Sequence, residues 1–395
     1  MAGEPSGDRL GAALMAALVA ERPGTSFAGL GGPLMQAEGL DPLFDFSELA
    51  VMGLVEVLPR LRRILGRIRQ TADAAIASGA DALITIDSPD FSLRVARRVK
   101  RARPDMPVIH YVAPSVWAWR PGRAKAMAAH VDHVLALLPF EPPYMTAAGM
   151  GCDFVGHPAA ELARPGEEEI GRLRAEIGAC GPLLAVLPGS RSGELRRLLP
   201  LFAATVARLA ERHPGLSVVL PAAPSVAAEL AGAVRGWLVP VHVLDPRGMP
   251  AAQAERRKLT ALAAADAALA ASGTVVLELA AMGCPMVAAY RVNPLTSLIV
   301  RHVVKVNTAN LVNLLTGGGD VPEFLQEYAT VNALAGALEP LMTDGPARRA
   351  QIAALELAME RVGRGGVPPS RRAALAVLGA LDGPAGPDQR FSTST

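Results

Sequence analysis

Ala271-Ser-Gly-Thr-Val-Val-Leu-Glu278-Leu-Ala-Ala-Met-Gly-Cys-Pro-Met286 decides how this chain is read. Apolar runs stand before it, at 267–270, and after it, at 286–289. Between them the spacing predicts a small-residue turn, a short helix and a Gly-Cys-Pro stop, which is one strand–helix–strand unit of a parallel sheet. Ser272, Gly273 and Thr274 are expected to leave bare N–H groups at the helix start. With the helix dipole these suit a phosphate or pyrophosphate. Glu278, one turn further in, can accept hydrogen bonds from a ribose diol. The plain alternative is a capped helix in any α/β protein.

A second stretch supports the sharper reading. Leu183-Leu-Ala-Val-Leu187 is a short apolar run, the pattern of a buried parallel strand. Pro188-Gly-Ser-Arg-Ser-Gly-Glu194 follows it directly and leads into helical sequence. Gly189 and Ser190 then form a phosphate-cradling turn, and Arg191 adds a permanent cation able to fork onto a diphosphate. The alternative is a βα turn with a surface arginine. Two such turns in one half of the chain weigh against it.

The chain has 395 residues, too many for one ordinary core, so two domains are expected. Apolar residues make up 51%. The 38 Gly and 33 Pro imply many turns and not disorder, because apolar runs recur throughout the chain. A formal net charge of +2 gives no nucleic-acid signature. Cys152, Cys180 and Cys284 are scattered, with no C-x-x-C pair, which points to reduced thiols in a cytoplasmic protein without structural zinc. There is no signal-peptide pattern, nor any apolar run of about 18 residues or more that would span a bilayer.

Strand-like runs at 27–30, 82–86, 108–111 and 134–138 alternate with helical patterns in the first half. A second alternation runs from 183–187 through 217–220, 241–244 and 267–270 to 286–289. The expected organisation is an α/β chain with an N-terminal acceptor and membrane-side domain over 1–160 and a donor domain over 161–345. Closing helices over 346–382 and a frayed tail over 383–395 follow. Gly3-Glu-Pro-Ser-Gly-Asp8 reads as the turn after a central strand, yet only Met1 and Ala2 precede it. The first strand is therefore expected to be missing, and the natural start to lie about ten residues upstream, a strand's ordinary length plus its turn.

Asp87-Ser-Pro-Asp90-Phe stands at the carboxyl end of the run 82–86, where ligands bind in open α/β sheets. A carboxylate there can act as general base toward an alcohol. One of the two aspartates is expected to cap the following helix; a metal pair is poorly supported by D-x-x-D spacing. His110 is read as a satisfied polar residue at a strand end and not as a base. The stretch 110–123 carries Trp117, Trp119, Arg120 and Arg123 in a Pro/Gly loop, which suits packing over a ligand. In 51–69, Leu58, Leu61, Ile64, Leu65 and Ile68 share a helical face and Arg60, Arg62, Arg63, Arg67 and Arg69 crowd the rest. A basic amphipathic helix next to an apolar loop reads as membrane-surface contact, with an ordinary half-buried helix as the alternative.

Taken together, the stretches GEPSGD (3–8), GGPLMQAEG (31–39), VMGLVEVLPRLRR (51–63), IDSPDF (86–91), HYVAPSVWAWRPGR (110–123), LPFEPPY (138–144), FVGHP (154–158), LPGSRSGE (187–194), ASGTVVLE (271–278), CPMVAAYR (284–291) and NLVNLL (310–315) resemble the lipid-A-disaccharide synthase family of bacterial glycosyltransferases. The resemblance implies two facing Rossmann-like domains of GT-B type, with no metal or other cofactor. It implies an inverting transfer of 2,3-diacylglucosamine from its UDP derivative to 2,3-diacylglucosamine 1-phosphate, giving a β-1,6-linked disaccharide and UDP. It also implies Asp87 as base, and Arg191, Glu278 and Asn310 at the donor. Leu54, Arg60, Leu61, Arg63, Leu65, Trp117, Arg120 and Arg123 are acceptor or membrane candidates. The expected partners are the two lipid substrates, the anionic cytoplasmic face of the inner membrane and a second copy in a homodimer. No nucleic acid is expected. A UDP-sugar epimerase of the same fold is the rival enzyme, and a non-catalytic membrane adaptor the rival of another class.

Overall fold

The structure, a computed structural model, describes residues 1–48, 54–117, 122–292 and 308–382. It divides into two α/β units, residues 1–158 with the chain from 362 on, and residues 159–361.

In the first unit β1 (Ala28–Gly29) pairs with β2 (Asp41–Pro42). A parallel sheet holds β3 (Leu83–Ile86), β4 (Val108–Tyr111), β5 (His133–Ala136) and β6 (Gly151–Phe154) in sequence order. All four residues of β4 are buried, as a central strand between helix layers requires. At the start of the described chain Met1 and Ala2 lie alongside β3. Ala2 pairs with Ile86 in a parallel bridge and donates its N–H to Leu30 O, and Ile86 N donates to Met1 O. The turn at 3–8 thus leaves from a strand position next to β3. Beside Met1, Leu14, Met15, Leu18, Ile84 and Leu381 help to line a cavity of about 650 Å³.

The second unit is one six-stranded parallel sheet built from β7 (Leu183–Leu187), β8 (Ser217–Pro221), β9 (Val241–Leu244), β10 (Ala267–Ala271), β11 (Met286–Tyr290) and β12 (Glu323–Leu325). Its order is β12-β11-β10-β7-β8-β9. Every residue of β7 and β10 is buried.

The expected block of closing helices, 346–382, does not stay together. Helix Pro346–Arg361 packs on helices Val275–Met282 and Leu311–Thr316 in the second unit. Helix Pro369–Asp382 packs on helix Pro5–Glu21 in the first, where Ala373, Ala374 and Val377 share a core with Leu10 and Leu14. Ion pairs Arg371–Glu21 and Arg22–Asp382 flank that contact. The domain expected to end at 345 therefore runs to 361, and the first domain regains the last described helix.

Candidate active site

In the second unit the chain builds β7, β8 and β9 outward in one direction, then returns to lay β10 and β11 on the other side of β7. The strand order reverses between β7 and β10. In open α/β sheets the carboxyl ends at such a reversal form the ligand crevice. Both turns singled out in the sequence lie there, 189–191 after β7 and 272–274 after β10.

The first turn is held by its own helix. Gly189 has φ +115°, and a Cβ there would stand 2.3 Å from Glu194 Oε2. Only glycine tolerates both conditions. Glu194, three residues into helix Ser192–Ala210 when Ser192 is counted first, accepts the N–H of Ser190 at 3.0 Å, a variant of the capping box. The N–H of Ser190 is therefore already engaged within the turn. Arg191 is exposed at the N-cap position with extended backbone.

The second turn departs from the sequence expectation at one residue. Ser272 donates its N–H to Ala289 O at 3.0 Å and its hydroxyl to Glu323 Oε1 at 2.7 Å. It extends the sheet and is not an open donor. At Gly273 a Cβ would meet nothing within 4 Å. Thr274 occupies the N-cap position of helix Val275–Met282, and its side chain makes no cap. Glu278 Oε2 lies 2.9 Å from Lys258 Nζ, a partner sequence reading missed because it sits on the separate helix Ala251–Ala264. Asn310 is fully buried at the N-cap of helix Leu311–Thr316, and its Oδ1 accepts Val312 N at 2.9 Å. Among the described residues its Nδ2 has no partner.

In the first unit Asp87 directly follows β3, whose last residue, Ile86, is bridged to Ala2. Asp87 and Ser88 both adopt positive φ, +51° and +45°. For residues with a Cβ this costs on the order of 1–2 kcal/mol each, and such strain collects where function requires a particular aim. The conformation is tied by Asp87 N to Tyr111 O at 3.0 Å and by Ser92 Oγ to Asp87 O at 2.8 Å. Ser6, in the first turn of helix Pro5–Glu21, donates its hydroxyl to Asp87 Oδ2 at 3.2 Å. Neither aspartate caps helix Pro89–Ala102. Ser88 holds the N-cap position, without a side-chain bond, and Asp90 is exposed in the first turn.

His110 is buried, shares a 2.7 Å contact between Nδ1 and Thr85 Oγ1, and is pushed down to about 4 by burial. It is the satisfied strand residue expected. Trp117 is half-buried, edge-on to Phe140 at 5.2 Å, with Nε1 3.4 Å from Glu141 Oε1. Arg123 is half-buried on helix Gly122–Ala128, whereas Trp119 and Arg120 lie outside the described residues.

Glu141 itself is 3% exposed, and its Oε2 accepts the N–H groups of Leu137 and Leu138. Burial pushes its carboxyl from an ordinary 4.5 up to about 7. Between those values the unfolded chain has lost a proton that the folded chain keeps. Its contribution to stability therefore falls as pH rises through that window, by about 3 kcal/mol in total, and is flat above it. Melting curves of wild type and Glu141→Gln are expected to diverge from pH 4.5 to 7, with the wild type losing more; parallel curves would refute the buried-acid reading.

On the basic helix, Leu54–Ala77, the apolar face divides. Ile68 is buried and Ile64 packs partly against the same core, while Leu65 is 44% exposed. Arg63 and Arg67 both pair with Glu48, at 3.0 and 2.7 Å, and Arg67 lies over the Phe44 ring. The side chains of Leu54, Leu58, Arg60 and Leu61 fall outside the described residues.

The model of the family described as lipid-A-disaccharide synthetase matches residues 1–365. The chain belongs to the lipid-A-disaccharide synthetase family. A lipid-A-disaccharide synthase of Ruegeria pomeroyi is 54% identical over 384 residues, which is 97% of this chain and 95% of the relative. Among solved structures, MurG of Acinetobacter baumannii has a TM-score of 0.55 at 16% identity, over 97% of this chain and 98% of its own. UDP-GlcNAc 2-epimerase of Methanocaldococcus jannaschii, solved with UDP-GlcNAc and UDP, has a TM-score of 0.59 at 12% identity, over 97% and 98%. Such low identities show the fold alone, that of GT-B glycosyltransferases and related epimerases. Family membership makes the chain a glycosyltransferase and leaves the epimerase as a distant structural likeness.

Two motifs of this synthetase-family chain have a shared structural cause. Asp8, the last residue of GEPSGD, is buried and accepts the N–H groups of Gly32, Leu34 and Met35, all within GGPLMQAEG. It caps helix Pro33–Ala37 from a distance and thereby ties it to the first turn of helix Pro5–Glu21, which carries Ser6.

Proposed function

We propose that this chain transfers 2,3-diacylglucosamine from UDP-2,3-diacylglucosamine to the 6-hydroxyl of 2,3-diacylglucosamine 1-phosphate, with inversion, releasing UDP. The observation that carries the reading is the pair of turns at the reversal between β7 and β10. Arg191 follows β7, while Gly273, with open space over it, and Glu278 follow β10, the neighbouring strand. That combination suits a diphosphate and a ribose. Asp87 takes the proton of the attacking hydroxyl. Arg191 and the helix start at Gly273–Thr274 stabilise the charge on departing UDP. In a UDP-release assay, turnover requires donor and acceptor together; equal release with donor alone contradicts transfer.

The chain works at the cytoplasmic face of the inner membrane as a peripheral protein. No helix among the described residues is long and apolar enough to cross a membrane. Exposed Leu65 on an arginine-rich helix supports surface docking. Changing Leu54, Leu61 and Leu65 to Ser is expected to reduce co-sedimentation with anionic vesicles, and raised salt to reduce it through the arginines. Binding that survives both treatments places the lipid contact elsewhere. The same reading includes a homodimer, which light scattering on the purified chain decides.

A further inference from the structure

Glu323 opens β12 at the edge of the second sheet, and no sequence motif pointed to it. It is level with Ala288 of β11, which is level with Ala270 of β10. Residues in register on parallel strands face the same side of a sheet, as does Ser272, two residues beyond Ala270. Two strand spacings, roughly 10 Å, separate Glu323 from β10. The small side chain of Ala288 leaves that path open.

Across it Glu323 Oε1 accepts the Ser272 hydroxyl at 2.7 Å. Its Oε2 accepts the Thr308 hydroxyl at 2.6 Å and Ala309 N at 3.0 Å. Thr308 Oγ1 in turn accepts Asn310 N at 3.1 Å. One carboxylate therefore joins the turn after β10 to the segment that presents Asn310, whose buried Nδ2 is left with an unused donor. The corner itself is anchored without Glu323. Asn313 Nδ2 donates to Val321 O at 2.8 Å, and Val321 N donates to Asn313 Oδ1 at 2.9 Å.

We infer that Glu323 is a positioning residue of the donor site: it fixes Ser272–Thr274 and Asn310 relative to each other so that both meet the diphosphate-sugar. This rests on the donor reading given above. Fixing two recognition elements before binding removes an ordering cost from the ligand. The full chain is to be compared with Glu323→Ala, Glu323→Gln, Ser272→Ala and the Glu323→Ala/Ser272→Ala double variant. Donor KM, acceptor KM, UDP affinity by calorimetry and melting temperature are read for each.

Glu323→Ala is expected to raise donor KM and weaken UDP by about tenfold while acceptor KM stays put. Glu323→Gln restores most of the loss, since its oxygen can serve Thr308 and Ala309 and its amide can donate to the Ser272 hydroxyl. The double variant is expected to lose less than the product of the single losses, because both remove one link. A lowered melting temperature with unchanged donor KM, or fully multiplicative losses, overturns the inference. Arg191→Ala separates the two levels. If it weakens UDP and Glu323→Ala does not, only the positioning role falls. If neither does, the donor reading falls and the positioning role with it.

Discussion

Replacing Asp87 by asparagine is expected to lower kcat by about 100-fold or more and to leave UDP affinity within about twofold. Asparagine keeps the shape and can still accept the Ser6 hydroxyl at its carbonyl oxygen, so the turn at 87–88 stays as it is. It cannot take a proton. The loss then falls on the chemical step, while the residues proposed to hold the nucleotide, in the other unit, are untouched. Asp90→Asn is the matched control, since Asp90 is exposed on the first helical turn and none of the ties that hold the 87–88 turn runs through it. Activity of Asp87→Asn within a few-fold of wild type moves the base elsewhere, with Asp90 and Glu4 the next residues to test.

The second large effect is at the donor. Arg191→Ala is expected to weaken UDP by about 1–3 kcal/mol, and Glu278→Gln by a similar amount. The geometry raises the weight on Arg191. With Ser190 N–H taken by Glu194 and Ser272 N–H taken by Ala289, the proposed donor site leaves the charge of a diphosphate mainly to this guanidinium and to the helix start at Gly273–Thr274. Glu278 acts beside Lys258, so Glu278→Gln also leaves that ammonium without its carboxylate at this position. Calorimetry that shows unchanged UDP affinity in both variants removes the nucleotide from this unit.

The central strands and the two turns were legible because their signal is local. Leu183–Leu187 and Ala267–Ala271 are continuous apolar runs buried on both faces, and the turn follows each run directly. Two of the edge strands were not legible. Gly151–Phe154 alternates exposed and half-buried residues, and Glu323–Leu325 is three half-buried residues, too short for a period. The partners that shape the site were hidden for another reason. Ser6 reaches Asp87, Lys258 reaches Glu278 and Glu323 reaches Ser272 across long stretches of chain, and none of these residue types is distinctive alone. Local pattern likewise does not say which core an alanine-rich helix joins, so Pro346–Arg361 and Pro369–Asp382 were grouped although they pack in different units. In the basic segment, periodicity placed the apolar face, and tertiary packing then claimed Ile64 and Ile68 from it while leaving Leu65 exposed.

Mass spectrometry of the products formed from UDP-2,3-diacylglucosamine and 2,3-diacylglucosamine 1-phosphate tests the central claim most directly. The account predicts a β-1,6-linked tetraacyl disaccharide 1-phosphate and UDP in equal amounts, both formed about 100-fold or more slowly by Asp87→Asn. An isomerised UDP-sugar with the acceptor unchanged, or UDP released without any disaccharide, would contradict it.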